Sequence, residues 1–344
     1  MRRGLAFLLV GLLAMGPNAE GVAARMVTDS AGRRVEVPDR IERVFPAGPP
    51  AMVFLYVLAP QRLIGWTRGF RGDEADYVAA PYRDLPVFGR LAGRGGTANL
   101  EALLAARPDL VFDYGSLAPT YTSLAERVQA QTGLPYLLID GRFDAIPSAL
   151  RLFGGILGVE DRAERLAAYA EAALAEVDAI LAQVPPGKRP RVYLARGPEG
   201  LETGVRGSIN TEIIERAGGV NVAEAPGQRG IVTVSIEQVL TWNPEVIVTW
   251  DERFYDRVWN DPLWQGVDAV RNRRVYLSPS APFGWIDRPP SINRLLGLRW
   301  LASVLYPDRF EGDLRVIARD FYSSFYHVEL DDERLDALLA GAGG

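Results

Sequence analysis

Among the arginines in Gly- or Pro-rich segments, five could meet an anionic guest. Arg68 follows QRLIGW (61–66), Arg94 lies in GRGG (93–96), Arg206 in GVRGS (204–208), Arg229 in GQRG (227–230) and Arg288 in WIDRPPS (285–291). A guanidinium presents a planar fork of donors that suits the paired oxygens of an anion, and flanking glycines let the backbone approach such a guest. A single surface Arg is usually only solvated, so the argument rests on the set, of which at least two are expected to line one cleft. Aromatic residues are interleaved with them. Trp66, Tyr114, Trp250, Phe283 and Trp285 fall at or near the ends of apolar runs, where rings can give flat walls to a chelate or simply fill a core. Phe283-Gly284-Trp285 is the best placed of these, because a Gly between two rings leaves no helical or strand packing reason for the pair.

Other chemistries lack their parts. The chain has no Cys and one His, His327, so thiolate metal sites, disulfides, multi-His metal sites and Ser-His-Asp catalysis have almost nothing to draw on. An enzyme would need a nucleophile–base pair or a metal site; only a carboxylate pair is left open. Gly93 to Gly96 lacks the Lys-Ser/Thr ending of a phosphate-binding loop. The 344 residues are 48% hydrophobic and carry a net charge of −5, which gives length for two cores and no basic footprint for nucleic acid. No resident cofactor is expected.

The elements that must position these residues alternate between strand and helix. A hairpin is expected over 28–37, strands at 43–45, 61–66, 109–113 and 134–139, and helices at 51–57, 100–106, 121–131 and 147–157. A long Ala-rich helix follows at 161–183, stopped by Pro185-Pro186-Gly187. The strand–helix alternation restarts at RVYLA (191–195), with a strand at 246–249 and another in RVYLS (274–278). Short apolar strands alternating with helices predict parallel sheets covered on both faces. In parallel α/β sheets ligands bind beyond the carboxyl ends of the strands, which is where the Arg and aromatic sets fall.

The N-terminus MRRGLAFLLVGLLAMGPNAEGVAAR reads as a secretory leader, with Arg2 and Arg3, an apolar run of 11 residues and a Val22-Ala23-Ala24 cleavage site. That run is shorter than the roughly 20 residues of a spanning helix. Cleavage is expected after Ala24, and without a following Cys no lipid anchor is expected. The mature protein is therefore expected in the periplasm.

The two halves repeat. NLEALLAARPDLVFDYG (99–115) lies over SIEQVLTWNPEVIVTWD (235–251) with an offset of 136, so that Glu101 matches Glu237, Leu104 matches Leu240 and Pro108 matches Pro244. Together with VTDSAGRRVEVPDRIERVFPAGPP (27–50) and GGVNVA (218–223), this ordered set resembles the cobalamin and iron-siderophore binding-protein family. The resemblance covers nearly the whole mature chain. It implies an α/β fold of two doubly wound lobes joined by a single long rigid helix: residues 25–157 as the N-terminal lobe, 158–184 as the linking helix and 185–344 as the C-terminal lobe, after a leader over 1–24. It implies a binding protein, not an enzyme, that works as a monomer and passes its guest to the permease dimer of an ABC importer. Glu101 and Glu237 match the family's docking positions. Each also sits in a helical first turn, where the dipole favours acid, and both readings can hold. The ligand set carried forward is Trp66, Arg68, Arg94, Tyr114, Arg206, Arg229, Trp250, Phe283, Trp285 and Arg288. The guest is expected to be a ferric siderophore-type chelate, with molybdate or tungstate, cobalamin or haem as alternatives.

Overall fold

The computed structural model describes residues 23–93 and 100–340. Arg94 and the predicted leader up to position 22 lie outside them. The chain opens with an antiparallel hairpin, β1 (Ala24–Thr28) and β2 (Arg34–Pro38), paired Thr28 to Arg34 and Val27 to Val35. Then come β3 (Val44–Pro46), α1 (Pro49–Leu58), α2 (Leu100–Ala105), β4 (Leu110–Gly115), α3 (Pro119–Thr132), β5 (Tyr136–Asp140) and α4 (Ile146–Leu157). Strands β3, β4 and β5 lie side by side in that order, all parallel. Strand β5 is buried throughout and β4 in all but its last residue, as unbroken apolar runs require when helices cover both faces. Helix α1 starts on Pro49-Pro50, which suits a first turn that needs no N–H. Helices α3 and α4 stop at Gly133 and Gly158, at φ 71° and 68°, a left-handed backbone that glycine adopts freely.

Helix α5 (Glu160–Leu181) buries Ala163, Leu166, Ala167, Ala170, Ala173, Leu174, Val177 and Ile180, a stripe at helical spacing. It packs closely on α4, where a Cβ on Gly154 would come within 2.2 Å of the Ala163 methyl. After it lie β6 (Arg191–Ala195), β7 (Glu202–Gly204), α6 (Glu212–Arg216), β8 (Val220–Asn221), β9 (Ile231–Thr233), α7 (Ile236–Trp242), β10 (Val246–Thr249), α8 (Glu252–Val258), α9 (Asp268–Arg271) and β11 (Val275–Leu277). A second parallel sheet runs β11-β10-β6-β8, and β7 pairs antiparallel with β9. The fold class is thus the expected one, α/β with two parallel sheets. The chain ends in α10 (Arg294–Leu305), α11 (Leu314–Tyr326) and α12 (Asp332–Leu339).

Two expectations change. The segment 61–66 is not a ladder strand: it makes single bridges, Val44 with Leu63 and Trp66 with Val87, changing partner between them. Helices α11 and α12, at the end of the second half in sequence, also return to the first. Tyr326 accepts the Tyr56 hydroxyl on its carbonyl at 2.5 Å, and Arg334 accepts that of Tyr77 at 3.1 Å. One continuous core therefore runs from Val35 to Leu338.

The single histidine belongs to this junction. His327 ends α11 at φ 59°, with Nε2 3.2 Å from the Tyr56 carbonyl and 3.2 Å from Arg162 Nη2. Burial first, then Arg162, pulls its pKa down to about 4. Its ordinary value is near 6.5, so the unfolded chain takes up this proton first and the folded state loses stability as pH falls from about 6.5 toward 4. His327→Gln is expected to remove that loss. The stability difference between wild type and variant, from urea midpoints at pH 7 and pH 4.5, should shift against wild type at the lower pH. Asp113, whose carboxyl burial raises to about 7, acts in the opposite direction and cancels in the difference.

Candidate anion-binding cleft

A cavity of about 390 Å³ is lined by Arg68, Arg71 and Glu74 from the first half, and by Trp250, Asp251, Glu252, Arg253, Ser280, Gly284 and Arg288 from the second. The first wall is built by Glu74. Its carboxylate takes both Nη atoms of Arg68 at 2.6 and 3.1 Å and the backbone N–H of Arg71 at 2.9 Å. This folds the turn and leaves the Arg71 guanidinium without a carboxylate partner among the described residues. The second wall leaves β10. Asp251 caps α8 and grips Arg253 through Nε at 3.1 Å and Nη2 at 2.9 Å.

Trp250, between β10 and that cap, is covered by guanidinium groups. Arg288 Cζ lies 4.3 Å and Arg196 Cζ 5.8 Å from the ring centroid, distances at which the ring face attracts cations. Arg288 has φ 65°, a left-handed conformation that side chains rarely adopt. Behind it Asp287 is fully buried. It accepts Asn210 Nδ2 at 2.8 Å, and its other oxygen stands 2.9 Å from Arg196 Nε without the alignment of a hydrogen bond. Asp287 thereby anchors the backbone that carries Arg288. Partial burial, then Arg71 and Arg68, hold the Arg288 guanidinium below the ordinary arginine range. With Arg68 engaged by Glu74 and Arg253 by Asp251, the uncommitted charges are Arg71 and Arg288 against the exposed Glu252. Two like charges facing one cavity repel, and an anion between them relieves that repulsion.

Of the expected ligand set, Arg68, Trp250 and Arg288 line this cavity. Four aromatics lie in the core instead. Trp66 donates Nε1 to the Tyr82 carbonyl at 2.7 Å, Tyr114 stacks on Phe54 at 4.4 Å, Phe283 sits edge-on to Tyr326 at 5.5 Å and Trp285 donates Nε1 to the Tyr322 hydroxyl at 3.3 Å. The packing reason for Phe283 and Trp285 is Gly284, where a Cβ would meet the Asp287 carbonyl at 2.0 Å. The glycine lets the chain fold tightly enough to turn both rings inward. Arg206 is a surface residue paired with Glu224 at 2.8 Å, and Arg229 is exposed and not among the residues that line the cavity. Glu101 and Glu237 are exposed on α2 and α7. The Ser235 hydroxyl, then a backbone N–H, hold the Glu237 carboxyl below the ordinary range, so it is charged at neutral pH. Arg71, Glu74, Asp251 and Ser280 were not anticipated. The spacing RGFRGDE (68–74) and the position of Asp251 directly beyond a strand end were the available clues.

The family model described as "Periplasmic binding protein" matches residues 74–282. The Molybdate-binding protein MolA of Haemophilus influenzae is 27% identical over 353 residues, covering 94% of this chain and 97% of that protein. Its solved structure, described as bound to molybdate, superposes with a TM-score of 0.72 at 26% identity, covering 89% of this chain and 99% of that one. An ABC transporter solute binding protein from Sulfurospirillum deleyianum superposes with a TM-score of 0.84 at 31% identity, covering 92% and 99%. With parallel sheets in both halves, a cleft lined from both and a family match over more than half its length, the chain belongs to the periplasmic binding proteins, the substrate-binding components of ABC importers.

Proposed function

We propose that this binding protein carries a small oxyanion of the molybdate and tungstate class, held in the cleft between Arg71 and Arg288. The observation that supports this most is those two guanidinium groups, which meet across a cavity of about 390 Å³ with no carboxylate partner among the described residues. A cavity near the low end of the usual 300–1,000 Å³ range suits a small guest. With Trp66, Phe283 and Trp285 in the core, the flat walls that favoured a ferric siderophore-type chelate are reduced to Trp250 alone. The molybdate-binding relative points the same way. The test is calorimetry with molybdate, tungstate, sulfate and a ferric catecholate, beside native mass spectrometry and metal analysis of protein purified from its own host. Molybdate or tungstate should bind and the ferric chelate should not; the reverse order would return the chelate as guest.

The leader assigns the protein to the periplasm. Cleavage after Ala24 removes the first residue of β1 and leaves Arg25, whose Nη2 holds the Ile156 carbonyl at 2.6 Å. Glu101 and Glu237 are assigned to docking on the permease. If each carboxylate meets a basic pocket of the permease, Glu101→Arg or Glu237→Arg sets like charge against it, which costs several kcal/mol across an interface. Uptake should fail while the purified variant binds its guest as wild type does. Loss of guest binding in the purified variant would move the carboxylates into the binding site.

A further inference from the structure

Six large apolar side chains are exposed among the described residues, and two of them, Leu104 at 47% and Leu240 at 38%, occupy matching positions in the two halves. The match extends along both helices. Leu100 and Ile236 are partly buried, Glu101 and Glu237 exposed, Leu103 and Val239 fully buried, and Leu104 and Leu240 exposed again. Each helix thus needs one inward residue for its core and presents a Glu and a Leu one turn apart on its outer surface. A single exposed Leu calls for no explanation. The same Leu beside the same Glu on the helix entering β4 and on the helix entering β10 is a repeated surface. Helices that enter parallel strands begin at the carboxyl edge of the sheet, the edge from which Trp250 and Asp251 line the cleft. Both helices therefore begin on the side of their sheets that carries the carboxyl strand ends.

We propose that Leu104 and Leu240 are the apolar halves of two equivalent docking epitopes, each an exposed Glu–Leu pair, that seat on the two membrane subunits of the importer. A partner with two-fold symmetry offers two copies of one surface, and this chain meets it with two copies of one epitope. The carboxylates steer and orient the approach, and the leucines supply the desolvated contact that slows departure. The proposal rests on the importer-binding role and is independent of which guest is carried.

The test places a photo-reactive benzoylphenylalanine at position 104, at 240 and, as control, at the exposed Val316 of α11, which has no counterpart in the other half. Illumination of intact host cells should join positions 104 and 240 each to an inner-membrane protein identified by peptide mass as the permease of an ABC importer, with no such adduct from 316. Adducts from only one of the two positions, from neither, or equally from 316 overturn the proposal. The purified double variant Leu104→Ala/Leu240→Ala should keep its molybdate affinity while its uptake activity falls about tenfold or more, the effect of losing two buried interface leucines. Unchanged uptake overturns the docking contact. Absence of molybdate binding in wild type, with the adducts intact, overturns the guest reading alone.

Discussion

Arg288→Ala is expected to weaken molybdate binding by about 10- to 150-fold, the equivalent of roughly 1.5–3 kcal/mol for one charge-assisted contact to a desolvated anion. Calorimetry at fixed ionic strength measures it. The variant should fold normally, since Arg288 is open to the cavity and no core residue packs on it alone. Arg288→Lys keeps the charge and should recover only part of the loss. A lysine has neither the planar fork nor the stacking that places the guanidinium 4.3 Å from the Trp250 centroid. Glu74→Gln carries the opposite expectation. It removes a negative charge from the wall and releases Arg68, now held at 2.6 and 3.1 Å, so affinity should rise. If Glu74→Gln and Arg288→Ala weaken binding alike, the cavity is not an anion site and the proposed guest class falls.

Glu212→Ala is expected to have the largest effect on stability, about 3–5 kcal/mol, the range for leaving a buried charge without its partner. Arg294 on α10 has no solvent exposure. Its Nη1 donates to the Ile209 carbonyl at 2.9 Å and to Glu212 at 3.0 Å, its Nη2 donates to the Gly141 carbonyl at 2.6 Å, and its Cζ lies 4.3 Å from the Phe143 centroid. Glu212 in turn accepts the Phe143 N–H at 3.0 Å. The pair ties the loop after β5 in the first half to the start of α6 in the second. A urea denaturation series should show the midpoint falling steeply for Glu212→Ala and less for Arg294→Met, because Met removes the buried charge itself while the abandoned Glu212 keeps partial contact with water. Asn210 lies between this tie and Asp287, behind Arg288, so Glu212→Ala should also weaken molybdate binding in whatever fraction remains folded. An equal loss in both variants would place the cost in packing rather than in the unpaired charge.

The strand–helix alternation was legible because it depends on local spacing. The repeated helix–Pro–strand unit appears as α2 with β4 and α7 with β10 at the anticipated positions, with inward and outward residues matching half to half. Apolar residues three and four apart dictated α5, and Gly133 and Gly158 dictated two helix ends. Of the residues expected beyond strand ends, Arg68, Trp250 and Arg288 line the cavity, although the segment before Arg68 is not a strand.

What the sequence by itself determined is therefore the set of elements, the internal repeat and the presence of an Arg-bearing rim between two parallel sheets, all of which follow from backbone periodicity and side-chain type. Tertiary structure alone decided which ring lines the cavity and which fills the core. Phe283 and Trp285 turn inward because α11, far along the chain, brings Tyr322 and Tyr326 against them. Arg71 has no carboxylate partner among the described residues, because Glu74 places its carboxylate on Arg68 and on the Arg71 backbone. The bridges at Leu63 and Trp66 do not extend into one strand, because the first pairs with Val44 and the second with Val87. Each of these outcomes turns on contacts between residues distant in sequence, where burial of a large ring or pairing of a charge outweighs any local preference, and no spacing along the chain encodes which partner arrives.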